Sequence, residues 1–236
     1  MTERGMIFNA EMVRAILEGR KTQTRRPVRF PVLDKNLGCE LAGNELAGEL
    51  SAGSYLNSAF GKPSDRIWVR ETWTTLGNED GCCVDWEENL CKGDERSAAR
   101  IYRASCEQRP GDYGLWSIPD DAYWKPHTKD HKFEGAWRPS IHMPRWASRI
   151  TLEITNVGVQ RLQSISPNDA EREGLVKLPA TGRYCINQGD QYFGGASHDA
   201  REVFSWLWES IYGEESWKAN PWVWVIEFKR IEESAA

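Results

Sequence analysis

The chain has 236 residues, with 30 lysines and arginines against 35 aspartates and glutamates, for a net charge of -5. That balance excludes a protein that coats duplex nucleic acid through generalised phosphate attraction, so any nucleic-acid site has to be local. No apolar run approaches the ~20 residues of a membrane helix and no signal-like apolar stretch follows the first charges, so a soluble cytoplasmic protein with no membrane partner is expected.

Met6-Ile7-Phe8 is a short apolar entry to a helix predicted over about 10 to 18, where Met12, Val13, Ile16 and Leu17 recur at helical spacing. Asn9 is a plausible N-cap, and Gly19 stands where a left-handed residue would end the helix. Thr22 to Arg29 reads as an extended segment interrupted by Pro27. Residues 31 to 60 lack clear periodicity and read as a loop that holds at most a short helical piece. After the turn signal Gly61 to Asp65, Arg66 to Trp73 alternates as a strand with Ile67 and Val69 on its core face.

From 74 to 136 the patterning fails, and this segment reads as a large irregular insertion within a single domain spanning 1–236. It holds the one constellation with metal-ligand residue types: Cys82, Cys83, Cys91 and Cys106, followed by His127 and His131. The C-x-x-C pairs usual in structural zinc sites are missing, so no metal and no cofactor is expected and the six cysteines read as reduced thiols. Trp137 to Trp146 mixes cations, aromatics and prolines as a rigid loop would. Ser148 to Val159 alternates as a strand, with Ile150, Leu152 and Ile154 on one side. Ser166-Pro167-Asn168-Asp169 starts a short helix ending near Gly174, 175 to 197 reads as a second loop, Asp199 to Tyr212 as an amphipathic helix closed by Gly213, and Trp222 to Phe228 as a buried strand.

The chemistry concentrates in Gly19-Arg20-Lys21-Thr22-Gln23-Thr24-Arg25-Arg26, four cations and two hydroxyls where a helix stops. Lys21 and Thr24 offer an amine beside a hydroxyl, the pairing that serves as base and nucleophile in Ser-Lys hydrolases. Residues three apart in a straight strand point to opposite faces, so these two converge only across a turn or bulge. The twelve tryptophans supply flat faces for stacking on bases, and Trp68 and Trp146 are the candidates for that contact.

The run from Ile16 to Arg26, the turn and strand from Gly61 to Arg70, the strand from Ile150 to Val157 with Asp169 to Gly174 after it, and the closing Trp224 to Lys229 together resemble the ASCH superfamily. The whole chain looks like its larger phage and prophage members, some of them labelled morphogenetic proteins. The resemblance implies an α+β fold built on a PUA-like β-barrel with flanking short helices, and an association with RNA or modified nucleosides. Small bacterial members hydrolyse N4-acetylcytidine with a Lys, a Thr and a Glu; carried over motif by motif, these fall on Lys21, Thr24 and Glu173. The resemblance then implies Thr24 as nucleophile, Lys21 as base, Glu173 as proton shuttle to the exocyclic nitrogen, and Arg20 or Arg26 on ribose or phosphate. A non-catalytic reader of RNA or nucleotides is the alternative, and a phage morphogenesis or host-interaction protein is a third.

Overall fold

The computed structural model describes residues 1–77, 82–87, 89–91, 93–109, 112–113, 137–187, 190 and 194–231. In chain order the elements are β1 (Glu3–Ile7), α1 (Ala10–Leu17), β2 (Gln23–Pro27), β3 (Val32–Leu33), β4 (Glu40–Leu41), α2 (Gly43–Ser51), β5 (Arg66–Arg70), β6 (Trp73–Thr75), β7 (Arg100–Tyr102), α3 (Arg103–Cys106), β8 (Glu107–Arg109), β9 (Asp112–Tyr113), β10 (Thr151–Arg161), α4 (Pro167–Arg172), β11 (Val176–Lys177), β12 (Tyr184–Cys185), β13 (Ala196–Ser197), α5 (Ala200–Tyr212) and β14 (Trp222–Ile231).

The fold is α+β, and the expected PUA-like barrel is corrected: the largest sheet is open. Five strands hydrogen-bond in the order β1-β5-β10-β14-β2, with β1 and β2 at its two ends. Closure would require those ends to pair, and no such pairing exists among the described residues. The short strands that might have extended the sheet satisfy one another instead, β3 with β4 and β6 with β7, as separate two-stranded ribbons. The segment read as a second loop contains a small antiparallel sheet, β11-β12-β13.

The chain divides into two compact units, Met1–Glu3 with Ala15–Ile67 and Leu152–Ala236, and Arg4–Arg14 with Trp68–Thr151. In the first unit, Asp199 caps α5 by accepting from the Arg201 N–H at 2.9 Å, and Gly213 ends the helix at φ 93°. The stripe Val203, Phe204, Leu207 and Trp208 then packs with Val223 and Val225 of β14 and with Leu162, Ile165, Ala170 and Leu175 in one core. Each such side chain is worth roughly 1.5–3 kcal/mol on burial, so this core anchors the unit. β14 pairs antiparallel with β2, setting Thr24 opposite Ile226 and Arg26 opposite Trp224.

Helix α2 is the short helical piece that the reading of 31 to 60 as a loop left room for. Two glycines in Gly43–Ser51 each cost about 1 kcal/mol relative to Ala, which hides the helix from propensity. Burial of Leu46 and Leu50, four apart, overrides that cost, and the Glu45 carboxylate accepts the Ala42 N–H at 2.8 Å. Gly43 is required by contact, since a Cβ there would sit 2.3 Å from the Trp222 indole.

In the second unit, Trp73 is the centre of a small core with Tyr102, Met143 and Ala147, and Trp146 meets it edge-on at 5.4 Å. The Glu71 carboxylate is buried and receives two hydrogen bonds at 3.0 Å from the Arg149 guanidinium, which lies 4.1 Å over the Tyr102 ring. Burial raises the Glu71 carboxyl above its usual range, with Arg149 opposing that rise. The Tyr102 hydroxyl donates to the Ala147 carbonyl, and burial pushes its pKa up to about 12.

Gly43→Ala tests the helix-to-sheet contact by its sign. Helix propensity alone favours alanine by about 1 kcal/mol, whereas overlap with the indole costs about 1–3 kcal/mol. A lowered Tm is expected in thermal unfolding; a raised one would show that the Trp222 ring swings aside.

Candidate functional site

The basic run begins as expected: the Asn9 side chain accepts from the Met12 N–H at 2.8 Å, and Gly19 takes a φ of 75° after α1. The Lys21 N–H then donates to the Ala15 carbonyl at 2.9 Å, and the Thr22 N–H to the Arg172 carbonyl at 2.9 Å. On the other side, Ser166 caps α4 by accepting from the Asp169 N–H, Glu173 is the last residue of that turn, and Gly174 reverses the chain at φ 107°. A Cβ on Gly174 would lie 3.0 Å from that of Ala15 and 3.2 Å from that of Lys21, so glycine lets α4 end directly on the motif.

Two of the three expected site residues meet there. The Lys21 amine donates to the Glu173 carboxylate at 2.8 Å and to its backbone carbonyl at 2.7 Å. Their side chains are 0% and 4% exposed. Arg25 reaches the other carboxylate oxygen at 2.9 Å and also donates to the Gln23 side-chain oxygen. Asp169 completes the group, 3.7 Å from the Arg25 guanidinium and accepting from Gln23 at 3.4 Å. Two cations and two carboxylates make a neutral set in which Lys21, Arg25 and Glu173 are buried and Asp169 is partly exposed. Burial dominates the Lys21 amine and lowers its pKa below 10.5, opposed by the charge and hydrogen bond of Glu173 and reinforced by Arg26 and Arg25.

Thr24 is buried, but not in this group. Gln23 and Arg25 both project toward Glu173 and Asp169, so side-chain alternation sends Thr24 to the opposite face of β2, where it stands across from Ile226. No bulge is recorded between β2 and β14 to bring it back. Arg26 shares the Thr24 face and lines a cavity of about 560 Å³ with Arg29, Asn57, Phe60, Tyr212 and Trp224 among its walls. Phe60 meets Trp224 edge-on at 5.7 Å, and Tyr212 lies 4.2 Å from the Trp208 ring, so the aromatic walls are held from behind.

The other expected contacts fall elsewhere. Arg20 is 31% exposed and is engaged by Glu18 at 2.6 Å and by the Gly174 carbonyl. Trp68 and Trp146 belong to the second unit, Trp68 under the Arg70 guanidinium at 5.4 Å and Trp146 against Trp73. Of the expected metal constellation, His127 and His131 lie outside the described residues, and among the described residues no group of three potential ligands gathers.

Sequence reasoning missed Arg25 as a partner of Glu173, and Gln23 and Asp169 as partners of Arg25. The signal was the period of two through Lys21, Gln23 and Arg25, which marks a single strand face. Arg29, Phe60, Tyr212 and Trp224 carried no such signal, because turns and register bring them together. No protein family model, no curated protein and no solved structure matches this chain.

Glu173→Gln would leave two buried cations without their shared carboxylate, and a loss of about 3–5 kcal/mol in urea unfolding is expected. Lys21 also carries a pH signature. Its folded-state pKa lies below the unfolded 10.5, so between those values only the unfolded chain holds the proton. Stability of the wild type relative to Lys21→Met should therefore rise as pH climbs from the folded pKa toward 10.5 and level off above it. A flat difference would mean that burial does not govern the amine.

Proposed function

We propose that the first unit is a binding module for a nucleoside, nucleotide or RNA base, acting without turnover. The observation that carries this reading is the cavity of about 560 Å³ in which Arg26 of the basic motif stands beside Trp224, Phe60 and Tyr212. Cavities of roughly 300–1,000 Å³ enclose small molecules, and fixed aromatic walls with a few cationic groups suit a planar ring bearing negative charge. The resemblance of the motif strand to ASCH proteins, associated with RNA, points the same way.

A second reading, amide hydrolysis of N4-acylated cytidine, is favoured by the meeting of Lys21 with Glu173 and by the lowered amine pKa. In it, the Thr24 hydroxyl attacks the acyl carbon while Lys21 takes its proton. Glu173 passes a proton to the departing nitrogen, cytidine leaves, and water hydrolyses the acyl-threonine to the free acid. Two features weigh against it: the amine is spent on two Glu173 oxygens, and Thr24 projects from the other face of the strand.

Incubation of the whole protein with N4-acetylcytidine distinguishes the two, with binding followed by tryptophan fluorescence and free cytidine by mass spectrometry. Saturable binding without cytidine release is expected, weakened about tenfold by Arg26→Ala, the scale of one charge-assisted contact. Release of cytidine that disappears in Thr24→Ala would replace the binding reading with the hydrolytic one.

A further inference from the structure

We propose that Cys83 and Cys91, in the second unit, form a dithiol pair that a hydroperoxide converts to a disulfide, tying the segment around Cys91 to the segment around Val84; this modification site does not rest on the binding reading. The pairing follows from register. The Cys91 N–H donates to the Cys83 carbonyl at 3.0 Å and the Asp85 N–H to the Asn89 carbonyl at 3.0 Å, so Val84 bridges Leu90 antiparallel. That pattern makes Cys83 and Cys91 the next opposed pair, on one face of the ribbon, with Cα atoms about 5.5 Å apart. Disulfides span Cα separations of about 4.4–6.8 Å. Opposed Cβ atoms stand about 4.5–5.5 Å apart, against about 3.5–4.5 Å in a disulfide, so the two segments must close by about 1 Å. The Cys91 side can supply that movement, because Val84 is 4% exposed whereas Leu90 opposite it is 53% exposed.

The turn between the two thiols is held by Asp85, whose carboxylate accepts from the Glu87 and Asn89 N–H groups at 2.9 Å and from the Asn89 side-chain amide at 3.1 Å. Cys82 is exposed but fits neither partner. Alternation turns it to the face away from Cys83 and Cys91, and a trans peptide holds adjacent Cα atoms about 3.8 Å apart, too close for a bond to Cys83. The two paired sulfurs, both partly exposed, divide the chemistry. Burial raises the Cys91 thiol above its ordinary value, with Asp85, Cys83 and Asp94 adding to the rise, so Cys91 is the poorer first nucleophile. The Cys83 sulfur lies 3.5 Å from the Thr75 hydroxyl, which is placed to donate to a thiolate. In the first step the Cys83 thiolate attacks the peroxide: an S–O bond forms, the O–O bond breaks, and water or an alcohol departs, leaving a sulfenic acid. The Cys91 sulfur then attacks the Cys83 sulfur, so that the S–S bond forms, the S–O bond breaks, and the departing hydroxide leaves as water with the Cys91 proton. Two electrons pass from the thiol pair to the hydroperoxide.

Treatment of the whole protein with equimolar hydrogen peroxide, followed by thiol blocking, digestion and mass spectrometry, tests this. A reducible peptide pair joining Cys83 to Cys91 is expected as the main disulfide, and Cys82→Ser should leave its yield unchanged. In Cys91→Ser the link is lost and dimedone should label Cys83 as its sulfenic acid. In the cross-linked protein the Cys91 amide should exchange with deuterium roughly tenfold more slowly than in the reduced protein, because closing the ring restrains local opening. A main disulfide through Cys82 or any other thiol would overturn the pairing, as would both thiols staying free while other sites oxidise. Dimedone labelling of Cys91 in Cys83→Ser, with none of Cys83 in Cys91→Ser, would overturn the order of attack. An unchanged exchange rate at Cys91 would overturn the tie between the two segments.

Discussion

The Glu173 carboxylate, shared by the Lys21 amine and the Arg25 guanidinium away from water, is the constraint on which the first unit depends. Taking charges out of water costs several kcal/mol per ion, and that cost is offset only when each charge has well-placed partners. Here the charges balance, two cations against the Glu173 and Asp169 carboxylates with a backbone carbonyl on the amine, while the Arg25 Nε and Nη2 are buried without a hydrogen-bond partner. The group therefore need not add net stability to matter. Its effect is selective, because any arrangement that separates α4 from β2 leaves a buried charge unmatched.

That selectivity fixes the phase of β2. With Gln23 and Arg25 committed to one face, Thr24 and Arg26 must occupy the other, since a slip of one residue would exchange every side chain between faces. The register to β14 agrees, placing Arg26 across from Trp224. The buried group thus positions the cavity without lining it: it decides which residue of the motif points at the aromatic wall. The same geometry separates the amine from the hydroxyl that a hydrolytic mechanism would join.

Much of this was legible in the sequence. The caps at Asn9 and Ser166, the turns at Gly19, Gly174 and Gly213, and the long helix α5 follow from local chemistry that tertiary structure did not override. The meeting of Lys21 with Glu173 followed from motif resemblance, because no local rule links residues so far apart in the chain. What failed were inferences about closure and convergence. A barrel depends on which edges pair, and short strands such as β3 and β4 carry no sequence mark that they will pair with each other. Helix α2 was legible only as a short helical piece without bounds, because its two glycines weaken the local signal and one of them is there to admit Trp222. The cavity was invisible because its walls come from four separate segments, two of them joined by the register of β14 and β2 and a third supplied by α5.

The basic run also divides its charges by task, and the division bears on what the protein can hold. Arg20 closes on Glu18 and the Gly174 carbonyl, Lys21 and Arg25 are neutralised by carboxylates, and Arg26 and Arg29 face the cavity. Those two guanidiniums line the cavity of a chain whose net charge is -5. The motif therefore spends Lys21 and Arg25 on holding α4 against β2, while its outer arginines stand at the cavity wall.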